Sequence, residues 1–352
     1  DDFGTSAVTL DLAEGGTYTF DQSDSSMSSH PMQLSTTANG THGGGSAYST
    51  GVTYQLDGST VTASAFISGF SSASSRKLII TVAASAPTLY YYCYYHSGMG
   101  GQANTNSTLG SSNFDGNNQS TVKVNTTGGF SIVGYTGNGV NNSNVTMGHG
   151  LGVAPDAVIL KNRDTSPYGA KEWVVWHQDV GTDSTYVYKN LSLNNGNASG
   201  VMSDQFRTVD ANTIQVRSSD SSNGKVNANN NKYIAYVFSG VEGYSKFGKY
   251  TGNGSSSNGT FVYLGFKPAL IIYKKTNNSD NWEMHDSKRN TFNSVTRQLF
   301  PNVNNSESTS TNVDFLANGF KHYNANGNTN ENGDTYIYFA WAESPFKNSR
   351  AR

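Results

Sequence analysis

The residues of this chain whose types and spacing could do chemistry lie in Tyr90–Gly101, which reads YYYCYYHSGMGG. Cys93 is the only cysteine among 352 residues, and His96 and Met99 follow it at intervals of three. A thiolate, an imidazole and a weak axial thioether are three of the four ligands of a trigonal copper site. The spacing therefore predicts a metal site at the end of this segment.

Such a site needs a second imidazole from a distant loop. His30 fits, because SSHPMQLS (Ser28–Ser35) reads as a loop histidine followed by Pro and a short strand. His42, in THGGG, is the competing candidate, and its glycine-rich surroundings indicate a mobile loop. Copper is the expected metal, with another metal or an empty site as alternatives. The predicted ligands are His30, Cys93, His96 and Met99.

The elements that must position these ligands read as β-structure. The chain contains 21 Tyr, 17 Phe and 4 Trp, more aromatic mass than a disordered chain carries. Short β-branched and aromatic runs broken by Gly and Ser are typical of all-β proteins. We expect one domain over Asp1–Gly101 with no helix, and a polar linker or surface loop over Gln102–Ser120. The predicted strands are Ala7–Leu12, Thr17–Asp21, Met32–Ser35, Val61–Ser68, Lys77–Val82 and Thr88–Tyr95.

Composition excludes several classes of protein. The net charge is −2 and Lys and Arg form no cluster, which argues against nucleic acid as a partner. No apolar stretch approaches the roughly 18 residues of a membrane span. A single cysteine excludes an intramolecular disulfide framework. The first residue is Asp rather than Met, so we expect the chain to be trimmed or processed.

The rest of the chain contains an internal duplication with a spacing of about 110 residues. The motifs of the first copy are GYTGNG (Gly134–Gly139), GVAPDAVILK (Gly152–Lys161), EWVVWH (Glu172–His177) and KYIAYVFSG (Lys232–Gly240). Those of the second are KYTGNG (Lys249–Gly254), GFKPALIIYK (Gly265–Lys274), NWEMH (Asn281–His285) and TYIYFAWAE (Thr335–Glu343). We predict two homologous β-sandwich domains of jelly-roll type, Thr121–Tyr244 and Ser245–Arg352.

The recurring Trp and His of these copies have a catalytic and a packing interpretation. Trp173 with His177, and Trp282 with His285, stand in strands beside Val and Met, where an indole buries large area. No carboxylate pair, nucleophile elbow or multi-histidine zinc spacing recurs in both copies. We favour packing and predict that the protein is not an enzyme and has no catalytic residues.

Asp1–Gly101 resembles a cupredoxin, the small Greek-key sandwich that holds blue copper. GGTYTFDQSDSSMSSHP resembles the family's early strand leading to its first ligand histidine, and YYCYYHSGM resembles its ligand loop. The resemblance implies a Greek-key sandwich with His30, Cys93, His96 and Met99 as copper ligands.

Asn113–Arg352 resembles a repeat-bearing module of virion structural proteins from marine tailed phages. The resemblance rests on GFSIVGYTGNG, HGLGVAPDAVILKNRD, VEGYSKFGKYTGNG, RQLFPN and YIYFAWAESPFK. It implies a structural protein of the tail-fibre or surface-appendage kind, with no catalytic residues to carry over.

Three functions from different classes follow. The first is a structural or adhesive protein of a virion surface or extracellular appendage, assembled in many copies with itself and with other virion proteins. A host-surface glycan or receptor is a further candidate partner. The alternatives are an extracellular cupredoxin-type copper protein that transfers electrons, and a glycan-binding module whose exposed Trp and Tyr stack on sugars. The duplication favours the first.

Overall fold

The computed structural model describes residues 7–105, 110–140, 145–165, 173–180, 189–192, 202–203, 206–217, 224–277 and 280–345. The chain divides into unit 1, comprising Asp1–Ser112 and Thr121–Lys123, and unit 2, comprising Asn113–Ser120 and Val124–Arg352. The described elements are strands apart from one short α-helix and two 3-10 turns, so the all-β prediction is confirmed. Some residues of the predicted motifs lie outside the described residues, among them Glu172, Phe346 and Lys347.

Unit 1 consists of two four-stranded sheets, with strand orders β1-β8-β7-β3 and β2-β6-β4-β5. Their strands are β1 (Leu10–Asp11), β2 (Thr17–Asp21), β3 (Met32–Ser35), β4 (Val52–Leu56), β5 (Ser59–Val61), β6 (Arg76–Thr81), β7 (Leu89–Cys93) and β8 (Gly100–Asn104). The pairing is antiparallel except between β1 and β8. Side chains from both sheets share one core, which includes Leu34, Leu78, Ile80 and Leu89. The sheets therefore form a sandwich.

The predicted strand Val61–Ser68 is wrong, because most of it forms helix α1 (Ala63–Gly69). Thr62 caps the helix, since its Oγ1 accepts a hydrogen bond from Ala65 N at 3.2 Å. Phe66 and Phe70 are four residues apart and both buried, with ring centroids 5.1 Å apart, which is a helical spacing. Among the described residues, no helix has the length and apolar character needed to cross a membrane.

The predicted linker Gln102–Ser120 also needs correction, because Gln102–Asn104 belong to β8 in the interior of a sheet. Of Gln102, Ala103 and Asn104, only Ala103 is buried. Asn104 Nδ2 donates to Asp11 Oδ1 at 2.9 Å, so polar side chains pair across this sheet. Strand β8 therefore lacks the apolar alternation that would reveal it. Two further strands follow, β9 (Ser111–Asn113) and β10 (Ser120–Asn125).

Unit 2 contains both copies of the duplication, and the same strand order recurs in each. Repeat 1 contains β11 (Phe130–Thr136), β12 (Val145–Gly148), β13 (Ala157–Asn162), β14 (Val174–His177), β15 (Lys189–Ser192), β16 (Met202–Ser203), β17 (Phe206–Val209), β18 (Thr213–Val216) and β19 (Lys232–Phe238). Repeat 2 contains β20 (Ser245–Thr251), β21 (Phe261–Tyr263), β22 (Pro268–Lys275), β23 (Glu283–Asp286), β24 (Gln298–Leu299), β25 (Val313–Leu316), β26 (Gly319–His322) and β27 (Thr335–Ala342).

Five strands of the larger sheet in repeat 1, in the order β11-β19-β13-β14-β15, match the five-stranded sheet β20-β27-β22-β23-β24 of repeat 2. The small sheets read β12-β18-β17 and β21-β26-β25. Each strand of repeat 2 therefore has a counterpart in repeat 1, whereas β16 of repeat 1 has none among the described residues of repeat 2.

The outer faces of the two large sheets pack on each other. Ala157 and Val175 of repeat 1 share a buried cluster with Phe247, Trp282 and Phe339 of repeat 2. The inner face of the large sheet of repeat 2 is buried as well, against the small sheet. Burial on both faces explains why β27 reads TYIYFAWA, a continuous apolar run with no alternation.

The repeated TGNG motif is a clamp between two loops. Asn253 N donates to Asn330 Oδ1 at 3.0 Å, and Asn330 Nδ2 donates back to Asn253 Oδ1 at 3.1 Å. In repeat 1, Asn138 and Asn227 make the same two bonds at 3.1 and 2.9 Å. The motif is therefore a structural signature of the fold in both copies.

Candidate metal centre

Strand pairing brings the predicted ligands of unit 1 to one place. β3 and β7 pair antiparallel with Met32 opposite Cys93, and Tyr94 N donates to Pro31 O at 2.9 Å. The residue before Pro31 is His30, so the same pairing carries its imidazole to the end of β7. The ligands therefore come from two chain segments held in register by backbone hydrogen bonds.

The three side chains form a compact cluster. Cys93 Sγ lies 3.7 Å from His30 Nδ1 and 3.3 Å from His96 Nδ1. The ring centroids of His30 and His96 are 4.6 Å apart, and the three ligand atoms lie within 4.8 Å of one another. Ligands bonded to one ion at about 2.0–2.3 Å stand about 3.5–4 Å apart. The cluster thus needs only small side-chain movements to share an ion.

Burial within the cluster is graded: Cys93 is 5% exposed, His30 is half-buried and His96 is exposed. A buried thiolate with two imidazoles suits Cu and Zn better than hard cations such as Mg²⁺ or Ca²⁺. The donor set therefore fits the metal that the sequence predicts, and the exposed imidazole gives an ion access from solvent.

Met99 lies in the same loop, and its backbone carbonyl accepts a hydrogen bond from Cys93 N at 2.9 Å. Its side chain is 42% exposed. After Met99 the chain turns back tightly onto β7. Glycine at position 100 permits this turn, because its φ is +150° and a Cβ there would overlap the Tyr91 carbonyl oxygen. Axial ligation by Met99 stays a prediction.

Asn39 is a residue of this centre that the sequence reasoning missed. Its Oδ1 accepts from Gly98 N at 2.9 Å and its Nδ2 donates to Ser97 Oγ at 3.0 Å. Asn39 itself has φ +61°, a conformation that asparagine tolerates better than most residues. It fastens the loop between His96 and Met99 to the segment that precedes His42.

His42, the competing ligand candidate, contacts the backbone instead. Its Nε2 lies 3.2 Å from Cys93 O, and its ring stands edge-on to Tyr92 at 6.4 Å. The structure thus places His30, and not His42, against the thiol sulfur.

The tyrosines around Cys93 divide into anchors and surface groups. Tyr92 OH donates to Gln33 Oε1 at 2.9 Å and Tyr91 OH donates to Val8 O at 2.7 Å. Burial raises the pKa of both phenols, so they stay neutral. Tyr94 and Tyr95 are 37% and 54% exposed and pack edge to face. The inner pair therefore fixes β7, while the outer pair borders the cluster on the surface.

The recurring tryptophans of unit 2 are equivalent, but the histidines are not. Val174 pairs with Leu160 and Glu283 pairs with Tyr273 at matching positions, so Trp173 and Trp282 each directly precede their strand. The same register matches His285 with Trp176 rather than with His177. Neighbouring strand residues face opposite sides. His177 therefore packs against Phe339 between the repeats, whereas His285 stacks on Tyr273 inside repeat 2.

Both histidines are buried, which lowers the pKa of His177 to about 4 and that of His285 to about 3. Each is therefore neutral at physiological pH.

Repeat 2 carries four polar residues at core positions where repeat 1 is apolar. Strand register matches Tyr273 with Leu160, Glu283 with Val174, His285 with Trp176 and His322 with Val216. Glu283, His285 and His322 are fully buried. Within the described residues, Glu283 Oε1, His285 Nδ1 and both ring nitrogens of His322 have no hydrogen-bond partner. A Glu and a His in the strand EMHD are the sequence signal that could have revealed this set.

The comparisons place most of the chain in one family. A model described as a domain of unknown function (DUF7483) matches residues 102–345, about two thirds of the chain. No curated protein and no solved structure matches the chain.

Proposed function

The chain belongs to the family of the domain of unknown function DUF7483, and we propose that it is a structural protein of a virion surface or extracellular appendage whose unit 1 binds copper. The observation that carries the metal part is the convergence of Cys93 Sγ, His30 Nδ1 and His96 Nδ1 from two chain segments.

The proposed role of the metal is to fasten the loop that ends at His30 to strand β7. An ion that binds only the folded state stabilises it by about 4 kcal/mol at a free concentration 1,000 times the dissociation constant. A chain with one cysteine cannot use an internal disulfide for this purpose. A surface-exposed structural protein gains from such a fastening.

Metal binding is tested with the full chain. Cu(II) added in stoichiometric amount is expected to give the blue absorption of a copper–thiolate bond and to raise the melting temperature of unit 1. Cys93→Ser should remove both effects, whereas His42→Ala should keep both because His42 contacts the Cys93 backbone oxygen and the Tyr92 ring rather than the thiol sulfur. A chain that stays colourless, or a Cys93→Ser variant with an unchanged metal-induced shift, would contradict the proposal.

Electron transfer is the second candidate role for the same site. It is favoured by the exposure of His96 and of the Tyr94–Tyr95 pair, which would give a redox partner access. The two roles differ in the effect of reduction. A carrier cycles between Cu(I) and Cu(II) with an unchanged fold, so fast electron exchange with a soluble redox dye would favour this candidate.

The structural part of the proposal is supported by unit 2, where two repeats of equal strand order pack through their large sheets. A duplicated sandwich whose core histidines are uncharged is suited to a structural role. The test is quantitative mass spectrometry of purified virions or appendages from the producing cells. Many copies of the chain per particle are expected, and its presence only as a free monomer would contradict the proposal.

A further inference from the structure

Strands β12 and β21 are counterparts in the two repeats, and each is the edge strand of its small sheet. His149 N donates to Asn212 O, and at the matching place Leu264 N donates to Asn318 O. Hydrogen-bonded and non-hydrogen-bonded pairs alternate along an antiparallel ladder. The backbone N–H and C=O of Thr146, and of its counterpart Phe261, therefore point outward from the sheet edge.

In repeat 1 the chain covers this edge with its own segment Asn113–Asn118. Thr146 N donates to Asn117 Oδ1 at 2.9 Å, and Thr146 O accepts from Asn118 N at 3.0 Å. Gly116 forms a β-bridge with Met147. The side chain of Asn113 lies on Gly148, where a Cβ would overlap it. A segment of the chain that bends at Asp115, Asn117 and Asn118 thus satisfies both outward groups of Thr146, one with a side chain and one with its backbone.

Repeat 2 has no such cover among the described residues. Phe261 N and O have no hydrogen-bond partner there, and the side chains of Phe261 and Tyr263 are 43% and 59% exposed. The connection into repeat 2 is too short to reach the edge, because Val241 and Ser245 close a tight turn directly after β19. The strand edge that is covered at Thr146 in repeat 1 is therefore open at Phe261 in repeat 2.

The surroundings of β21 indicate the charge of a partner. Lys246 Nζ contacts Tyr263 O at 2.9 Å and Lys321 Nζ contacts Asn258 Oδ1 at 2.7 Å. Within the described residues neither ammonium group has a carboxylate partner. A cleft of about 690 Å³, lined by Tyr263, Lys246 and the turn at Gly243, continues from the end of the strand. Both cations can pair with an acidic side chain.

We propose that the free edge of β21 binds an extended polypeptide segment of another protein chain, which adds a strand beside Phe261 and places an acidic side chain near Lys246 and Lys321. The repeat-1 segment Asn113–Asn118 shows that a polypeptide segment can cover the counterpart of this edge, since it bonds to Thr146 and includes Asp115. Strand addition to an open sheet edge is a common mode of peptide recognition. The site is independent of the metal ligands of unit 1.

The test uses the full chain and a fluorescent peptide with the sequence of Phe114–Gln119, FDGNNQ. Saturable binding is expected in fluorescence anisotropy, with hydrogen-exchange protection confined to Phe261 and its neighbours. Phe261→Pro removes an outward N–H, which an edge strand tolerates, together with the phenyl ring. It should weaken binding at least about tenfold, the equivalent of one lost hydrogen bond of 1.4 kcal/mol. Phe261→Thr, the residue of repeat 1, keeps the N–H and should retain more affinity.

Two outcomes would overturn the proposal. One is the absence of saturable binding and of exchange protection at millimolar peptide with the wild-type chain, a result that does not depend on the folding of any variant. The other is equal affinity for the wild type and for folded Phe261→Pro, which would place the peptide elsewhere. A peptide carrying Asp115→Asn should bind more weakly, and equal binding would overturn the acidic assignment.

Discussion

Val216 and His322 occupy the same place in the two repeats, and both side chains are fully buried. Each lies in the middle strand of a three-stranded sheet, opposite Phe206 in one case and Val313 in the other. The imidazole of His322 is enclosed by the rings of Tyr250, Tyr273 and Phe320 at 5.2–5.5 Å. Because the same backbone accepts a valine in repeat 1, the fold itself does not require a histidine here.

Replacing His322 by the valine of its counterpart is expected to make repeat 2 more resistant to acid. Burial lowers the pKa of His322 to about 3, below the ordinary value of 6.5. The folded state then binds fewer protons than the unfolded state between these values, so stability falls as pH drops below 6.5. Each such histidine changes the unfolding constant up to about tenfold per pH unit. Urea unfolding at several pH values should give a shallower acid slope for His322→Val, and an unchanged slope would contradict this.

Glu283 predicts the opposite trend at higher pH. Burial raises the pKa of its carboxyl to about 7, from an ordinary 4.5, although Tyr273 OH donates to it at 3.3 Å. A folded carboxyl with a raised pKa costs stability as pH rises from 4.5 towards 7. Glu283→Gln keeps the shape without ionising, so it should gain up to about 3 kcal/mol over wild type at pH 8 and little at pH 4. Chemical denaturation at the two pH values measures the difference. An equal gain in stability at the two pH values would contradict the role of ionisation.

Much of the metal cluster could be predicted from sequence because each ligand stands in a short stretch with a recognisable pattern. Cys93 and His96 are three residues apart, and His30 precedes a strand that the alternation in MQLS reveals. Asn39 could not be predicted, since its role depends on a loop 58 residues further along the chain meeting its amide. A polar residue in a Gly/Ser-rich stretch carries no such signal by itself.

The all-β class and the duplication were readable from turns and repeated motifs, whereas α1 and the polar core of repeat 2 were not. Thr62 and the Phe66–Phe70 pair specify a helix through a cap and one spacing, within a run that also fits a strand. Glu283 and His285 stand where alternation predicts apolar residues. Their burial became evident only when strand register matched them to Val174 and Trp176.

The TGNG clamp predicts equal sensitivity of the two repeats to a single methyl group. A Cβ at Gly252 would overlap the carbonyl oxygen of Glu331, and one at Gly137 would overlap that of Ala228. Either Gly→Ala change should therefore destabilise unit 2 by roughly 1–3 kcal/mol through forced backbone movement. Neither Gly137 nor Gly252 has a positive φ, so their variants test the clash alone, whereas Gly58→Ala in unit 1, with φ +81° and no atom near the added carbon, gives the effect of strain without a clash. Thermal unfolding of the three variants checks this, and a Gly252→Ala variant as stable as wild type would contradict the clamp.

Asn39 is expected to tune metal affinity without being a ligand. Its amide holds Ser97 and Gly98, and so fixes the loop that carries His96. Removing a group that orients a ligand lowers metal affinity by about 10–100-fold. Asn39→Gly is the informative change, because glycine keeps the left-handed backbone at φ +61° and removes only the two hydrogen bonds. Competition with a copper chelator should show the weaker affinity, while the melting temperature of the metal-free chain changes little. Thr36→Ala, an exposed residue of the same segment with no side-chain hydrogen bond within the described residues, is the matched control. If Asn39→Gly and Thr36→Ala bind copper equally well, Asn39 does not position the loop.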